Sequence, residues 1–196
     1  MHPDLTPATG TLARVVTGIG DDQLAAPTPC HGMTVADVLD HVDGLCLAFA
    51  GAAAKNLDAG RRGPAADGSR LGPDWRTRIP GRLADLAAAW RDERAWTGMT
   101  RAGGIDMPGE IAGTVAIDEV VVHGWDVAVA TGRGYACDEE LLTAAYGFAQ
   151  ATVARNPQGT PGLFGPPVTV PDDAPLLHRL LGLTGRDPAW RPVGPS

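Results

Sequence analysis

The sequence predicts an all-α domain of helices packed on helices. Two observations carry this: apolar residues recur at helical spacing in four long segments, and strand-like alternation is scarce. At 196 residues the chain suffices for one domain whose core needs neither a disulfide nor a structural zinc. Residues 1–196 therefore read as a single domain without internal repeats, with a mobile loop over about 55–74 and a C-terminal strap over about 156–196.

The first helix covers about 7–19, with Leu12, Val15, Val16 and Ile19 on one stripe and Gly10 and Gly18 weakening it. After the turn PTPCHGM, Thr34 can cap the free N–H groups of the second helix, and Asp37 stands three residues on in its first turn. Val35, Val38, Leu39, Val42, Leu45 and Phe49 make the buried face of that helix. The run AGRRGPAADGSRLGPD has no period and many breakers, so it is expected as a surface loop long enough to act as a lid, with Arg61, Arg62 and Arg70 solvated. A third helix is expected over about 75–96, with Leu83, Leu86 and Trp90 inward and a kink at Pro80. TRAGGIDMPG then offers a Gly-Gly turn for a small hairpin. The fourth helix, about 110–131, carries Ile111, Val115, Ala116, Val120, Val127 and Val129 and stops at Gly132. A fifth, about 138–155, is amphipathic through Leu141, Leu142, Ala145 and Phe148; the tail is an extended strap and a short helix over about 175–184 with Pro at its start.

Composition excludes several functional classes. Cys30, Cys46 and Cys137 are an odd number without close pairing, which argues against a disulfide framework or a paired-cysteine metal site and for a reducing compartment. The N-terminus lacks a basic segment followed by an apolar core, and no stretch reaches the roughly 20 apolar residues of a membrane span, so a cytoplasmic protein without membrane contact is expected. A formal charge of −7 argues against nucleic acid as a partner, because phosphate-binding proteins carry a basic face. Lys55 is the only lysine among sixteen basic residues, a bias of GC-rich bacterial genomes.

The residues suited to chemistry lie on the second and fourth helices. Glu119 and His123 are four apart, so one face of an otherwise apolar helix presents a carboxylate and an imidazole, a chelating pair. A carboxylate directed at a core is costly unless it is paired or binds a cation. His41 shares its helix face with Val38, Val42 and Leu45, so a second histidine also points inward. Two His and one Glu, with positions left for water, is the ligand set of catalytic zinc sites and also suits iron or nickel. Spacing alone leaves open a satisfied core histidine at 41 and an intrahelical hydrogen-bonded pair at 119 and 123. Asp37, one turn before His41, is a capping acid or an additional group acting on the ion; Asp126, one turn after His123, either orients an outer ligand or, by default, is a solvated acid, while Trp125 defaults to packing and Cys30 to a small hydrophobe.

Two stretches carry a family resemblance. PTPCHGMTVADVLDHV resembles the opening motif, and DEVVVHGWDVAVATGR the second signature, of actinobacterial DinB-like proteins related to the mycothiol-dependent maleylpyruvate isomerase N-terminal domain. FGPPVTVPDDAPLLHRLLGLTGRDP resembles that family's C-terminal strap, so the similarity spans about 5–190. The resemblance implies an up-down-down-up four-helix bundle with extra C-terminal helices, and one divalent ion held by His41, Glu119 and His123. His31 stands where the family usually has an acid and Met33 where it usually has tryptophan.

The implied chemistry is activation of a low-molecular-weight thiol, mycothiol, on a divalent ion, zinc first and nickel or iron next. The thiol, whose proton ordinarily leaves near pH 8.5, would then attack a small electrophile in a transferase or isomerase reaction. The alternatives are a hydrolase or lyase using metal-bound water, with Asp37 as the one evident base, and a non-catalytic metal- or ligand-binding protein that keeps the bundle. A monomer or homodimer is expected.

Overall fold

A computed structural model describes residues 2–58 and 65–192. Among the described residues the helices are α1 (Thr6–Thr17), α2 (Val35–Ala53), α3 (Trp75–Trp90), α4 (Gly109–Ala130), α5 (Glu139–Arg155) and α6 (Leu176–Leu183), with one hairpin, β1 (Met99–Ala102) and β2 (Ile105–Pro108). No helix among them is long and apolar enough to cross a membrane.

Local chemistry sets most of the boundaries. Thr34 and Asp37 form a reciprocal cap at the start of α2: the Thr34 hydroxyl accepts from the Asp37 amide at 3.3 Å, and Asp37 Oδ2 accepts from the Thr34 amide at 2.9 Å. In the hairpin, Gly103 and Gly104 take φ of 58° and 81° between paired Ala102 and Ile105, the two-residue turn that needs positive φ at both positions. Gly132, at φ 71°, ends α4, and the Arg133 amide closes onto the Ala128 carbonyl at 2.8 Å.

Helix directions follow from the contacts at their ends. Arg91, just past α3, reaches Thr6, and Arg76 near its start reaches Ile19, so α1 and α3 run antiparallel. Asp43 of α2 pairs with Arg78 and Arg82, and Lys55 beyond α2 donates to the carbonyl of Ala95 beyond α3, so these two run parallel. His41 meets Glu119, while a side chain at Gly109 would meet Lys55, which makes α2 and α4 antiparallel. Both α1 and α2 pack on α3 and α4, and the result is the expected up-down-down-up bundle. At its centre Leu12, Leu39, Ile79, Leu83 and Ile117 are fully buried; at about 25 cal/mol per Å² of apolar surface, each contributes roughly 1.5–3 kcal/mol. Outside the bundle, α5 packs on α4 and α6 on α5, and the strap is fastened to α6 by the Val168 amide on the Gly182 carbonyl at 2.9 Å.

The structure corrects three expectations. The third helix stops at Trp90 because Asp92 accepts from the Arg94 amide at 2.9 Å and starts a separate 3-10 turn, Glu93–Trp96, which folds the Trp96 indole N–H onto the Trp90 carbonyl at 2.8 Å. Ile111 is 44% exposed, because the solvent-facing side of α4 near its start has no element over it. Part of the supposed loop is fastened down: Gly68–Arg70 is a 3-10 turn whose Gly68 amide donates to Asp37 at 2.7 Å, with Arg70 on Asp40 at 2.6 Å. Arg70 is thus ion-paired, while Arg61 and Arg62 lie outside the described residues.

Candidate metal centre

The chelating pair of α4 and the inward histidine of α2 meet. His41 Nε2 and His123 Nε2 lie 3.3 and 3.2 Å from the same oxygen, Oε2 of Glu119. The two rings stand 4.8 Å apart at 77°, and one donor atom from each of the three residues lies within 4.8 Å of the others. This arrangement needs both helices. The four-residue step on α4 stacks Glu119 and His123, and the antiparallel run of α2 brings His41 to them. The site is lopsided: the His123 side chain is 9% exposed and that of His41 38%, so access from solvent is on the α2 side.

The donor set fits a divalent ion. A carboxylate oxygen and two imidazole nitrogens converge on one point, and an ion there would remove the cost of burying Glu119. Without an ion, burial drives the Glu119 pKa upward, but its hydrogen bonds to His123 and His41 outweigh this and hold it far below the ordinary carboxylate range. Burial likewise opposes a charge on His123, yet the hydrogen bonds to Asp126 and Glu119 prevail and raise it to about 9. The metal-free cluster thus holds a proton on His123 that a cation would have to displace.

Behind His123 is a second layer, in which sequence reasoning defaulted Asp126 to solvent and left out Arg186. Its Nδ1 lies 3.0 Å from Oδ2 of Asp126, a residue with no exposed surface, and the same oxygen accepts from Nη2 of Arg186 at 3.0 Å. Burial raises the Asp126 pKa, but Arg186 and then His123 more than offset this and keep it below its ordinary value. Asp126 is therefore a buried anion and not a solvated acid. It fixes the orientation of His123 so that Nε2 faces Glu119. Arg186 reaches it from beyond α6, with its Nη1 donating to the Thr184 carbonyl at 2.8 Å. Nothing near Arg186 in sequence signals this partner sixty residues away.

Asp118 was also passed over. It is 2% exposed, its Oδ1 has no hydrogen-bond partner, and burial, with the neighbouring Glu119 charge, pushes its acid well above the usual range. An Asp-Glu pair in an otherwise apolar helix was the available signal.

The remaining candidates separate from the cluster. Asp37 spends Oδ2 on the Thr34 amide and hydroxyl and Oδ1 on the Gly68 amide, and it is not among the converging donors. Cys30 lies close to His123 and Asp126, but burial pushes its thiol up to about 11, and the guanidinium beside Asp126 disfavours a second cation there. Met33 packs on the core with Sδ 3.3 Å from the Cys30 thiol, His31 is exposed, and Trp125 is buried as packing.

Known proteins extend the picture. Two uncharacterised proteins of Mycobacterium tuberculosis, Rv0738 of strain H37Rv and MT0763 of strain CDC 1551, are each 28% identical over 183 residues, 91% of this chain and 93% of theirs. The fold is similar to a crystal structure of the mycothiol-dependent maleylpyruvate isomerase, with a TM-score of 0.57 at 22% identity over 76% of this chain and 68% of that one. A histidine-to-alanine mutant of that enzyme gives 0.57 at 21% identity, over 80% and 71%. Residues 5–128, which contain His41, Glu119, His123 and Asp126, match the profile of the mycothiol maleylpyruvate isomerase N-terminal domain, and the chain belongs to that family.

Proposed function

We propose that this protein is a metal-dependent enzyme that uses mycothiol to isomerise, or to transfer the thiol to, a small electrophile. His41, Glu119 and His123 would hold one divalent ion, zinc in the first instance. The observation that carries the proposal is the single carboxylate oxygen of Glu119 flanked at 3.3 and 3.2 Å by two imidazole nitrogens from different helices. Family membership supports the thiol, since the solved relatives are named as mycothiol-dependent.

A bound divalent ion would supply the Lewis acidity that keeps a thiol deprotonated at neutral pH. The chain's own residues do the rest. Glu119 stays ionised and contributes one negative charge, which two neutral imidazoles leave unmatched against a divalent ion, so the site keeps a net attraction for a thiolate. Asp126, held by Arg186, takes the His123 Nδ1 proton into a fixed hydrogen bond and leaves Nε2 to the ion. The greater exposure of His41 sets the approach of thiol and electrophile on the α2 side.

The hydrolytic alternative leans on Asp37 as a base, and both oxygens of that carboxylate are engaged by Thr34 and Gly68. This favours the thiol. The test is titration of zinc-loaded protein with mycothiol, followed by turnover of maleylpyruvate and a panel of epoxides. Saturable thiol binding and thiol-dependent turnover are expected; turnover that proceeds equally without thiol contradicts the proposal.

A further inference from the structure

Apart from the metal-ligand residues, α1 and the segment after α4 border an open cleft of about 700 Å³, within the roughly 300–1,000 Å³ typical of small-molecule sites. None of its lining residues belongs to the metal-ligand cluster. Two arginines, Arg14 and Arg133, stand in its wall. Many arginines of this acidic chain are neutralised: Arg70, Arg76, Arg78, Arg82, Arg101 and Arg186 each lie within 3.1 Å of a carboxylate, while Arg155, Arg179 and Arg191 show no such partner among the described residues. Arg14 and Arg133 likewise have none among the described residues, and these two line the same cleft.

Their contacts position them without cancelling their charge. Arg133 donates through Nη1 to the Thr131 carbonyl at 2.9 Å and to Gln23 Oε1 at 3.4 Å, and through Nη2 to the Gly18 carbonyl. Arg14 Nη2 donates to the Thr11 hydroxyl at 2.9 Å. Carbonyl and hydroxyl oxygens orient a guanidinium but leave its full positive charge. Burial keeps the other titratable groups of the wall, Tyr135 and Cys137, protonated, so Asp138 is the one acid that lines the cleft. Val15 and Ala136 add apolar surface.

We propose that this cleft is a second binding site, for a small organic oxyanion whose carboxylate or phosphate meets Arg14 and Arg133 and whose body lies on Val15 and Ala136. The pairing of two uncancelled guanidiniums with an apolar wall selects that class over a metal cation or a polyanion, for which the rest of this acidic surface is unsuited.

The test is an NMR titration of the native protein at low ionic strength with benzoate and, separately, with inorganic phosphate. Saturable amide shifts centred on Gly134 and Ala136 are expected. Tighter binding of benzoate identifies an organic carboxylate, and tighter binding of phosphate a phosphorylated ligand. A Cβ at Gly134 would meet no atom within 4 Å, so the backbone there accepts a side chain, and Gly134→Phe, which adds a bulky ring to the cleft wall, should abolish the shifts while native circular dichroism is retained. Arg14→Gln should weaken binding about tenfold. The proposal is overturned if neither anion saturates, if both variants bind as the native protein does, or if the shifts centre on Glu119 and His123.

Discussion

Replacing Arg186 with Met removes a guanidinium that is only 6% exposed and leaves Asp126, with no exposed surface at all, facing His123 alone. Breaking a buried ion pair from one side costs about 3–5 kcal/mol, because the remaining charge is left in a medium that solvates it poorly. Here the His123 ring stays 3.0 Å from the same carboxylate oxygen, which places the loss near the lower end, about 3 kcal/mol. For a chain of this size each kcal/mol moves the midpoint by about 2–4 °C, so Arg186→Met should melt some 6–12 °C below the native protein. The assay is thermal unfolding of metal-free protein followed by circular dichroism. Arg186→Met/Asp126→Leu, which removes both charges, should recover at least half of the loss, since the penalty lies in the stranded carboxylate. Metal affinity supplies a second readout: freeing Asp126 from Arg186 loosens His123, and such outer contacts are worth about 10–100-fold in affinity. A single variant that melts within about 1 kcal/mol of native and binds zinc unchanged would refute the claim that Arg186 positions His123 through Asp126.

Four further outcomes follow from the same geometry. Because His123 in the metal-free cluster is raised to about 9, zinc uptake at pH 7 should release close to one proton per ion, read by calorimetry in buffers of different ionisation enthalpy; no net release contradicts the hydrogen-bond assignment. The same raised value makes a stability contribution that is complete below the ordinary imidazole range near 6.5 and is lost as pH rises through about 9, so denaturant melts of metal-free protein should show lower stability above that value than at pH 6.5. Asp37→Ala removes the reciprocal cap and the Gly68 contact, costing about 1–2 kcal/mol in denaturant unfolding while a full metal equivalent is kept; loss of metal would return Asp37 to the site. At Gly124, beside His123, a Cβ would sit 2.8 Å from the Tyr135 ring and hydroxyl, so Gly124→Ala should destabilise by about 1–3 kcal/mol, and an unchanged melt would contradict that contact.

Much of the fold was legible because its signals are local. Thr34 with Asp37, Gly103 with Gly104, and Gly132 each act within a few residues, and each ended or began an element where the sequence reading put it. The misread positions depend on what packs nearby. Ile111 has the right period for burial but nothing above it, and Asp92 competes with the third helix through a cap that an amphipathic stripe does not reveal. The site was half legible. Glu119 and His123 announce themselves at four-residue spacing, but His41 lies seventy-eight residues from Glu119, and their meeting depends on the direction of α2 against α4. The family resemblance bridged that distance. It covered the strap but gave no role to Arg186, whose part exists only because the strap folds back over α4, so Asp126 looked like a surface acid until its partner came into place.

Elemental mass spectrometry of purified native protein beside His41→Ala and His123→Ala tests the central claim most directly. His41 is half-exposed and its loss leaves the core intact, so the variant remains a folded bundle against which metal content can be compared. One equivalent of zinc, or of nickel or iron, in the native protein, lost in both variants with helical content retained, is the predicted result. A full equivalent retained in either variant, or none bound by the native protein even after dialysis against zinc, would contradict a metal centre formed by His41, Glu119 and His123.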